Sequence, residues 1–338
     1  MILVCFGTRP EWLKIKPVLD LLDRGEYKLL FTGQHTSLVD SVDFDYTIYV
    51  GTSADRLNQV IADCLSQFPP TEGVKAILVQ GDTASAYGCA LAGFNRRIPV
   101  VHLEAGLRSF SLDHPYPEEG YRQMISRIAT VNLAPTDLSK TNLTLEGVLG
   151  SNVVVGNTVL DNLVNRNFKP TYQNKVLVTL HRRENHFMIK QWFSEIEKLA
   201  QRYPDLEFIL PIHPNPNVHA HKGLLTKVKV VEPLPHEELL SILANCRLVI
   251  SDSGGIQEEA SFLGKKVIVC RNFTERPEGI GSGHLHMCTS PDLIGGMFDS
   301  LINDYKINTP CPYGDGHSAP RVVERLRLLV FEQQYPNW

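Results

Sequence analysis

The chain is paced by short apolar runs at residues 2–6, 27–32, 75–80 and 99–103, with amphipathic stretches at 10–22, 54–67 and 84–94 between them. The runs are hydrophobic throughout rather than at every second residue, the pattern of strands buried on both faces of a sheet. A buried strand, a helix and another buried strand require a crossover, and right-handed crossovers build a mostly parallel, doubly wound sheet. The rhythm restarts after the polar stretch 165–174. Runs at 175–180, 207–212, 227–231, 248–251 and 266–270 read as a second set of parallel strands, with helices at 189–201, 236–244 and 256–263. The expected fold class is α/β, with two Rossmann-like doubly wound parallel-sheet domains facing a cleft. The first domain is expected over residues 1–160 and the second over 161–319, with a last helix in 320–338 crossing back onto the first.

Composition removes several classes of function. With 338 residues and 43% hydrophobic content, each half can bury a core without a metal or disulfide staple. A formal charge of −4 with no basic stripe argues against a nucleic-acid partner. Seven cysteines with no C-x-x-C pair suggest a reducing compartment. The opening MILVCF runs straight into a strand and does not read as a signal peptide. No apolar run approaches the roughly 20 residues a membrane helix needs, so no membrane partner is expected. The expected location is the cytoplasm.

In open α/β sheets, ligands bind beyond the carboxyl ends of the strands, so the residues that follow each apolar run carry the functional reading. The first run ends in Gly7-Thr8-Arg9-Pro10-Glu11, with Lys14 after it. Gly7 permits a tight turn, Pro10 suits a first helical turn, and Arg9 is placed to meet an anion or, in the bland reading, a surface carboxylate. The G-x-G-x-x-G dinucleotide spacing is absent. Asp82 follows the run ending at Gln80, and Glu104 follows His102-Leu103; Glu118 and Arg122 then fall four apart on one helix face. Converging carboxylates suit general acid–base work, although Asp82 alone reads more readily as a helix N-cap and Glu118–Arg122 as a surface ion pair.

In the second half, His181-Arg182-Arg183 directly follows a buried run and suits a diphosphate, unless the arginines merely face solvent. His213 follows another run and reads equally as structural or as a phosphate contact. The most informative string is Ser251-Asp252-Ser253-Gly254-Gly255, which runs from a strand into a helix and makes an anion pocket of free N–H groups and a hydroxyl. Glu259, one turn in, can accept from ribose hydroxyls. The same D-S-G-G letters surround trypsin-type nucleophiles, but those belong to disulfide-bonded all-β proteins, so Ser253 is read as a phosphate binder. His219/His221 and His284/His286 lack an obvious third ligand, so no metal is expected.

Taken in order, FGTRPE, TGQH, GDT, HLEAGLRS, PEEGYR, HRREN, IHPNPNV, SDSGGIQEEASFLGK, TERPE and PYGDG resemble the non-hydrolysing UDP-N-acetylglucosamine 2-epimerase family, from Phe6 to Gly316. The resemblance implies a GT-B-like fold whose second domain binds the nucleotide, a UDP-sugar substrate, a homodimer and no organic cofactor. It implies nucleotide contacts from Arg9, His213, Ser253, Gly254, Gly255 and Glu259, and catalytic positions at Lys14, Asp82, Glu104, Glu118, Arg122 and His181. It leaves open which carboxylate takes the C2 proton. The family carries a second, activating UDP-GlcNAc, for which Gln34, His35 and Arg182 are the matching positions. This chain is shorter than the pattern after His35 and across 165–174, so such activation does not follow from the resemblance. A 2-epimerase of another UDP-2-acetamido sugar, a hydrolysing 2-epimerase and a GT-B glycosyltransferase are the alternative expectations.

Overall fold

A computed structural model of the chain describes residues 1–34, 42–166 and 168–331. The chain divides into two compact units, Met1–Asn162 together with the described part of Gly314–Trp338, and Leu163–Tyr313. In the first unit the strands are β1 (Ile2–Phe6), β2 (Tyr27–Phe31), β3 (Tyr46–Thr47), β4 (Ala76–Gln80), β5 (Val100–Leu103), β6 (Val131–Ala134) and β7 (Ser151–Val154). Among the described residues they form one sheet in the order β3-β2-β1-β4-β5-β6-β7, and every pairing is parallel. The second unit holds β8 (Lys175–Thr179), β9 (Glu207–Pro211), β10 (Lys229–Val231), β11 (Leu248–Ser251), β12 (Val267–Val269) and β13 (Leu285–Met287). Their order is β10-β9-β8-β11-β12-β13, again parallel throughout.

The continuous hydrophobicity of β1 has the expected cause. Ile2, Val4 and Phe6 pack into one apolar cluster, while Leu3 and Cys5 pack into another on the opposite face. Burying each large side chain of this kind is worth about 1.5–3 kcal/mol, so a polar residue on either face would be costly. The helix Ser318–Phe331 joins the first of these clusters. Ala319, Val322, Val323, Leu326, Leu329 and Val330, at helical spacing, cover the face shared with Ile15, Val18 and Leu19. In the second unit, Trp192, Phe193, Ile196 and Leu199 of the helix Ile189–Arg202 pack against Val176, Val178 and Ile250 of the sheet.

The short strands β3, β6, β7 and β13, of two to four residues each, were not anticipated. One expected helix moves. The residues read as 256–263 form Gly254–Phe262, so both glycines lie in the first helical turn rather than in a preceding loop. Among the described residues, no helix is long and apolar enough to cross a membrane.

Gly106, just past β5, has φ of +87°, and a Cβ there would lie 2.2 Å from the carbonyl oxygen of Ser139. That neighbour belongs to the helix Asp137–Leu145 and cannot swing away as a flexible side chain would. Gly106→Ala is therefore expected to destabilise the protein by about 3 kcal/mol through combined overpacking and backbone strain. Urea unfolding reads this directly, and an unchanged midpoint would contradict the close approach.

Candidate active site

In both sheets the strand order reverses once, between β1 and β4 in the first and between β8 and β11 in the second. At such a point the two crossovers leave toward opposite faces and open a crevice at the strand ends. Arg9 and Asp82 follow β1 and β4, and His181 and Ser253 follow β8 and β11, while Gln34, Glu104 and His213 follow the adjoining strands β2, β5 and β9.

In the first domain, β1 leads through Gly7 into the helix Arg9–Leu19, capped by Thr8. A Cβ on Gly7 would sit 2.1 Å from Thr32 Oγ1 and 2.4 Å from Ser85 Oγ, so only glycine fits the turn. Glu11 completes a capping box: its carboxylate accepts from the N–H groups of Gly7 (3.0 Å) and Thr8 (2.7 Å) and from the hydroxyls of Thr8 (2.8 Å) and Thr83 (2.7 Å). Burial pushes the Glu11 carboxyl above its usual range, and these four bonds pull against that shift. The T-x-x-E spacing was legible in the sequence, yet Glu11 was not singled out there. Arg9 is exposed on the same first turn.

Lys14 reaches across to β5, its Nζ 2.6 Å from both carboxylate oxygens of Glu104. Gln80, the last residue of β4, donates to the same carboxylate. Glu104 has φ of +67°, the left-handed region that a residue with a Cβ adopts at a cost of about 1–3 kcal/mol. The Lys14 and Gln80 contacts hold the carboxylate in that position.

Asp82 does not cap the following helix. Thr83 does, accepting from the Ala86 N–H at 3.0 Å, while the Asp82 carboxylate accepts from Arg122 Nε (2.9 Å) and also from its Nη2. Nor is Arg122 part of a surface ion pair. It is 3% exposed and donates from Nη1 to Glu119 at 2.8 Å. Glu119, fully buried, also accepts from Ser109 N and Phe110 N and ties the 109–110 turn to Arg122. Glu118 opens the helix Glu118–Ile128, half-buried. Gln34 accepts from the Ser85 hydroxyl at 2.7 Å, and His35 lies outside the described residues.

In the second domain a fully buried carboxylate organises the loop after β8. Asp252, at the end of β11, accepts from the backbone N–H groups of His181 (3.0 Å) and Arg182 (2.9 Å) and from Asn185 Nδ2 (2.9 Å). The His181 ring comes within 3.5 Å of Asp252 and stacks on the His213 ring, with centroids 5.2 Å apart and planes 12° apart. Desolvation lowers the pKa of both histidines, and the Asp252 charge opposes the shift. His213 Nδ1 accepts from Asn215 N at 3.2 Å, which leaves Nε2 as the donor of the neutral ring. Arg182 is half-buried and its Nε has no partner among the described residues, whereas Arg183 is exposed. Asp252 escaped the sequence reading because its role depends on β8 and β11 being neighbours.

Ser253 precedes the helix Gly254–Phe262 and makes no capping bond to it, so the first-turn N–H groups and the hydroxyl are unused by the helix itself. A Cβ on Gly254 would lie 2.8 Å from Arg276 Nη1, which explains the glycine. Arg276 is itself tied to Glu258 at 2.6 Å and to Glu275. Glu259 accepts from His236 Nε2 at 2.7 Å. Of the H-x-H histidines, His284 bonds Ser282 and His219 bonds Lys222.

The family model for UDP-N-acetylglucosamine 2-epimerase matches residues 21–327. The Neisseria meningitidis serogroup A protein of that name is 35% identical over 370 aligned residues, 96% of this chain and 98% of its own. That aligned length exceeds the 338 residues here, so the relative holds segments with no counterpart in this chain. The Bacillus subtilis protein of the same name is also 35% identical, over 96% of this chain and 94% of its own. A crystal structure of the N. meningitidis UDP-GlcNAc 2-epimerase bound to UDP-GlcNAc matches with a TM-score of 0.86 at 33% identity, covering 96% and 99% of the two chains. The two parallel sheets are thus those of a GT-B-like α/β enzyme of the isomerase class. The chain belongs to the UDP-N-acetylglucosamine 2-epimerase family.

One titration is set by the fold of this site. His102, on β5 and fully buried, donates from Nε2 to Gly81 O at 2.8 Å, just before Asp82. Desolvation takes its pKa from 6.5 to about 4. Between those values the unfolded chain takes up a proton that the folded chain refuses, so this ring stabilises the fold above pH 6.5 and the contribution is lost as pH falls toward 4. His102→Gln keeps a donor but cannot titrate. From pH 7 to 4.5, wild type is expected to lose about 2 kcal/mol more unfolding free energy than the variant. Parallel urea curves at both pH values would overturn this.

Proposed function

We propose that the chain is a non-hydrolysing UDP-N-acetylglucosamine 2-epimerase that interconverts UDP-GlcNAc and UDP-ManNAc through elimination and re-addition of UDP. No carbonyl acidifies C2, so loss of the leaving group must run ahead of proton removal. The C1–O bond breaks with its electron pair going to the β-phosphate oxygen, a carboxylate takes the C2 proton, and a C1=C2 double bond forms 2-acetamidoglucal. Re-addition of UDP at C1 with protonation of C2 from the other face gives the epimer.

The observation that carries this reading is the pair of cation-clamped carboxylates at neighbouring strand ends, Lys14–Glu104 and Arg122–Asp82. They are two fixed groups for proton transfer, with Glu118 as the third candidate. Arg9, His213 and the Ser253-Gly254-Gly255 turn are assigned to the departing diphosphate, where N–H groups and a neutral imidazole donor stabilise developing charge. Glu259 is assigned to the ribose hydroxyls and His181 to catalysis beside the diphosphate. The unpartnered Arg182 Nε supports a ligand contact there, and Gln34 is assigned with it to a second-substrate site. The working state is a homodimer that uses no organic cofactor, as the resemblance implies, in the cytoplasm and without a nucleic-acid or membrane partner, as charge, cysteine usage and hydropathy suggest.

Proton NMR of the protein with UDP-GlcNAc in D2O tests the reaction. Deuterium is expected at C2, with intact UDP-ManNAc appearing. Free ManNAc with UDP would place the chain among hydrolysing 2-epimerases, and no exchange with UDP-GlcNAc would overturn the proposal. Asp82→Asn, which keeps the shape but loses the charge, is expected to slow exchange by at least about 100-fold, the usual contribution of a positioned acid or base.

A further inference from the structure

Glu259 is assigned above to the ribose hydroxyls, and the fold shows what aims it. The carboxylate is buried, with its side chain 5% exposed. A buried carboxylate needs partners, and it has one in its own domain: Oε1 lies 2.7 Å from Nε2 of His236. Its other oxygen, Oε2, accepts no hydrogen bond from the described residues. His236 begins the helix His236–Asn245, and its side chain is 14% exposed. On the far side of the ring, Nδ1 is buried and has no hydrogen-bond partner among the described residues. A proton on that nitrogen would have nowhere to go, so the tautomer is fixed with its proton on Nε2, donated to Glu259.

We propose that His236 is a positioning residue that sets the preference of this chain for ribonucleotides over 2′-deoxyribonucleotides. By occupying Oε1, the imidazole locks the Glu259 side chain in one rotamer and leaves Oε2 to accept from the sugar hydroxyls. A carboxylate held in place loses little freedom on binding, whereas a free one would have to be ordered by the ligand. Hydroxyl recognition by a prepared acceptor is also where discrimination is sharpest, because a ligand lacking the hydroxyl leaves that acceptor unpaired. The inference rests on the assignment of Glu259 to the ribose, and the test separates the two.

Calorimetric titration of UDP and 2′-deoxy-UDP into the full-length protein provides the readout. Wild type is expected to prefer UDP. His236→Phe, which keeps the ring shape without a donor, is expected to weaken UDP about tenfold, the size of one lost charge-assisted hydrogen bond. Its affinity for 2′-deoxy-UDP should change far less, so the preference narrows. His236→Gln, whose amide can donate to Oε1, is expected to recover most of the preference. If His236→Phe leaves the ratio of the two affinities as in wild type, whether both are unchanged or both fall together, the ring only supports the fold and the inference is wrong. Glu259→Ala is the separating control. A narrowed ratio in Glu259→Ala beside an unchanged one in His236→Phe sinks only the role of His236. An unchanged ratio in Glu259→Ala sinks the ribose assignment and the inference with it.

Discussion

The parallel pairing of β1 with β4 and of β8 with β11 is the constraint on which the rest depends. Cys5 lies beside Val79 in the first pair, and Thr179 lies beside Ser251 in the second. Those registers put the Gly7-Thr8 turn next to Gly81-Asp82, and His181 next to Asp252-Ser253. The contacts that follow are short because the strands end together: Thr83 reaches Glu11, and the Thr179 and Ser251 hydroxyls meet at 2.6 Å. A slip of one residue would turn every side chain to the opposite face and separate these groups.

Buried charge is used here to fix geometry. Glu11, Glu119, Asp252 and Glu258 are nearly inaccessible, and each is tied to backbone N–H groups or to an arginine. Such pairs contribute little net stability once desolvation is counted, but removing one partner leaves an uncompensated charge. Their effect is to leave few alternative positions for the turns they hold. Glu119 is the clearest case, since it joins the 109–110 turn to Arg122, and Arg122 in turn holds Asp82. The strained backbone at Glu104 is maintained in the same way, by Lys14 and Gln80.

The two domains hold different chemical equipment. The first holds carboxylates matched with cations, Glu104 with Lys14 and Asp82 with Arg122. The second holds an uncapped helix start, stacked imidazoles of lowered pKa and a carboxylate held by a histidine.

Much of this was legible in the residues alone. The buried parallel strands announced themselves through continuous hydrophobicity, and the order of the motifs marked the family, because glycines, prolines and charged residues at strand ends are local signals. Four short strands stayed hidden, three of them at sheet edges (β3, β7 and β13) and one, β6, inside the first sheet. The tight turn at Gly7 was also readable, but not that Thr32 and Ser85 crowd it, and the close approach at Gly106 came only from the structure. Tertiary structure alone decided that Thr83 rather than Asp82 caps its helix, that Arg122 is buried between two carboxylates, and that Asp252 and His236 support the residues the motifs name. Each of those depends on side chains from elements far apart in the chain meeting at a strand end, and the order of the strands, not local spacing, determines which ones meet.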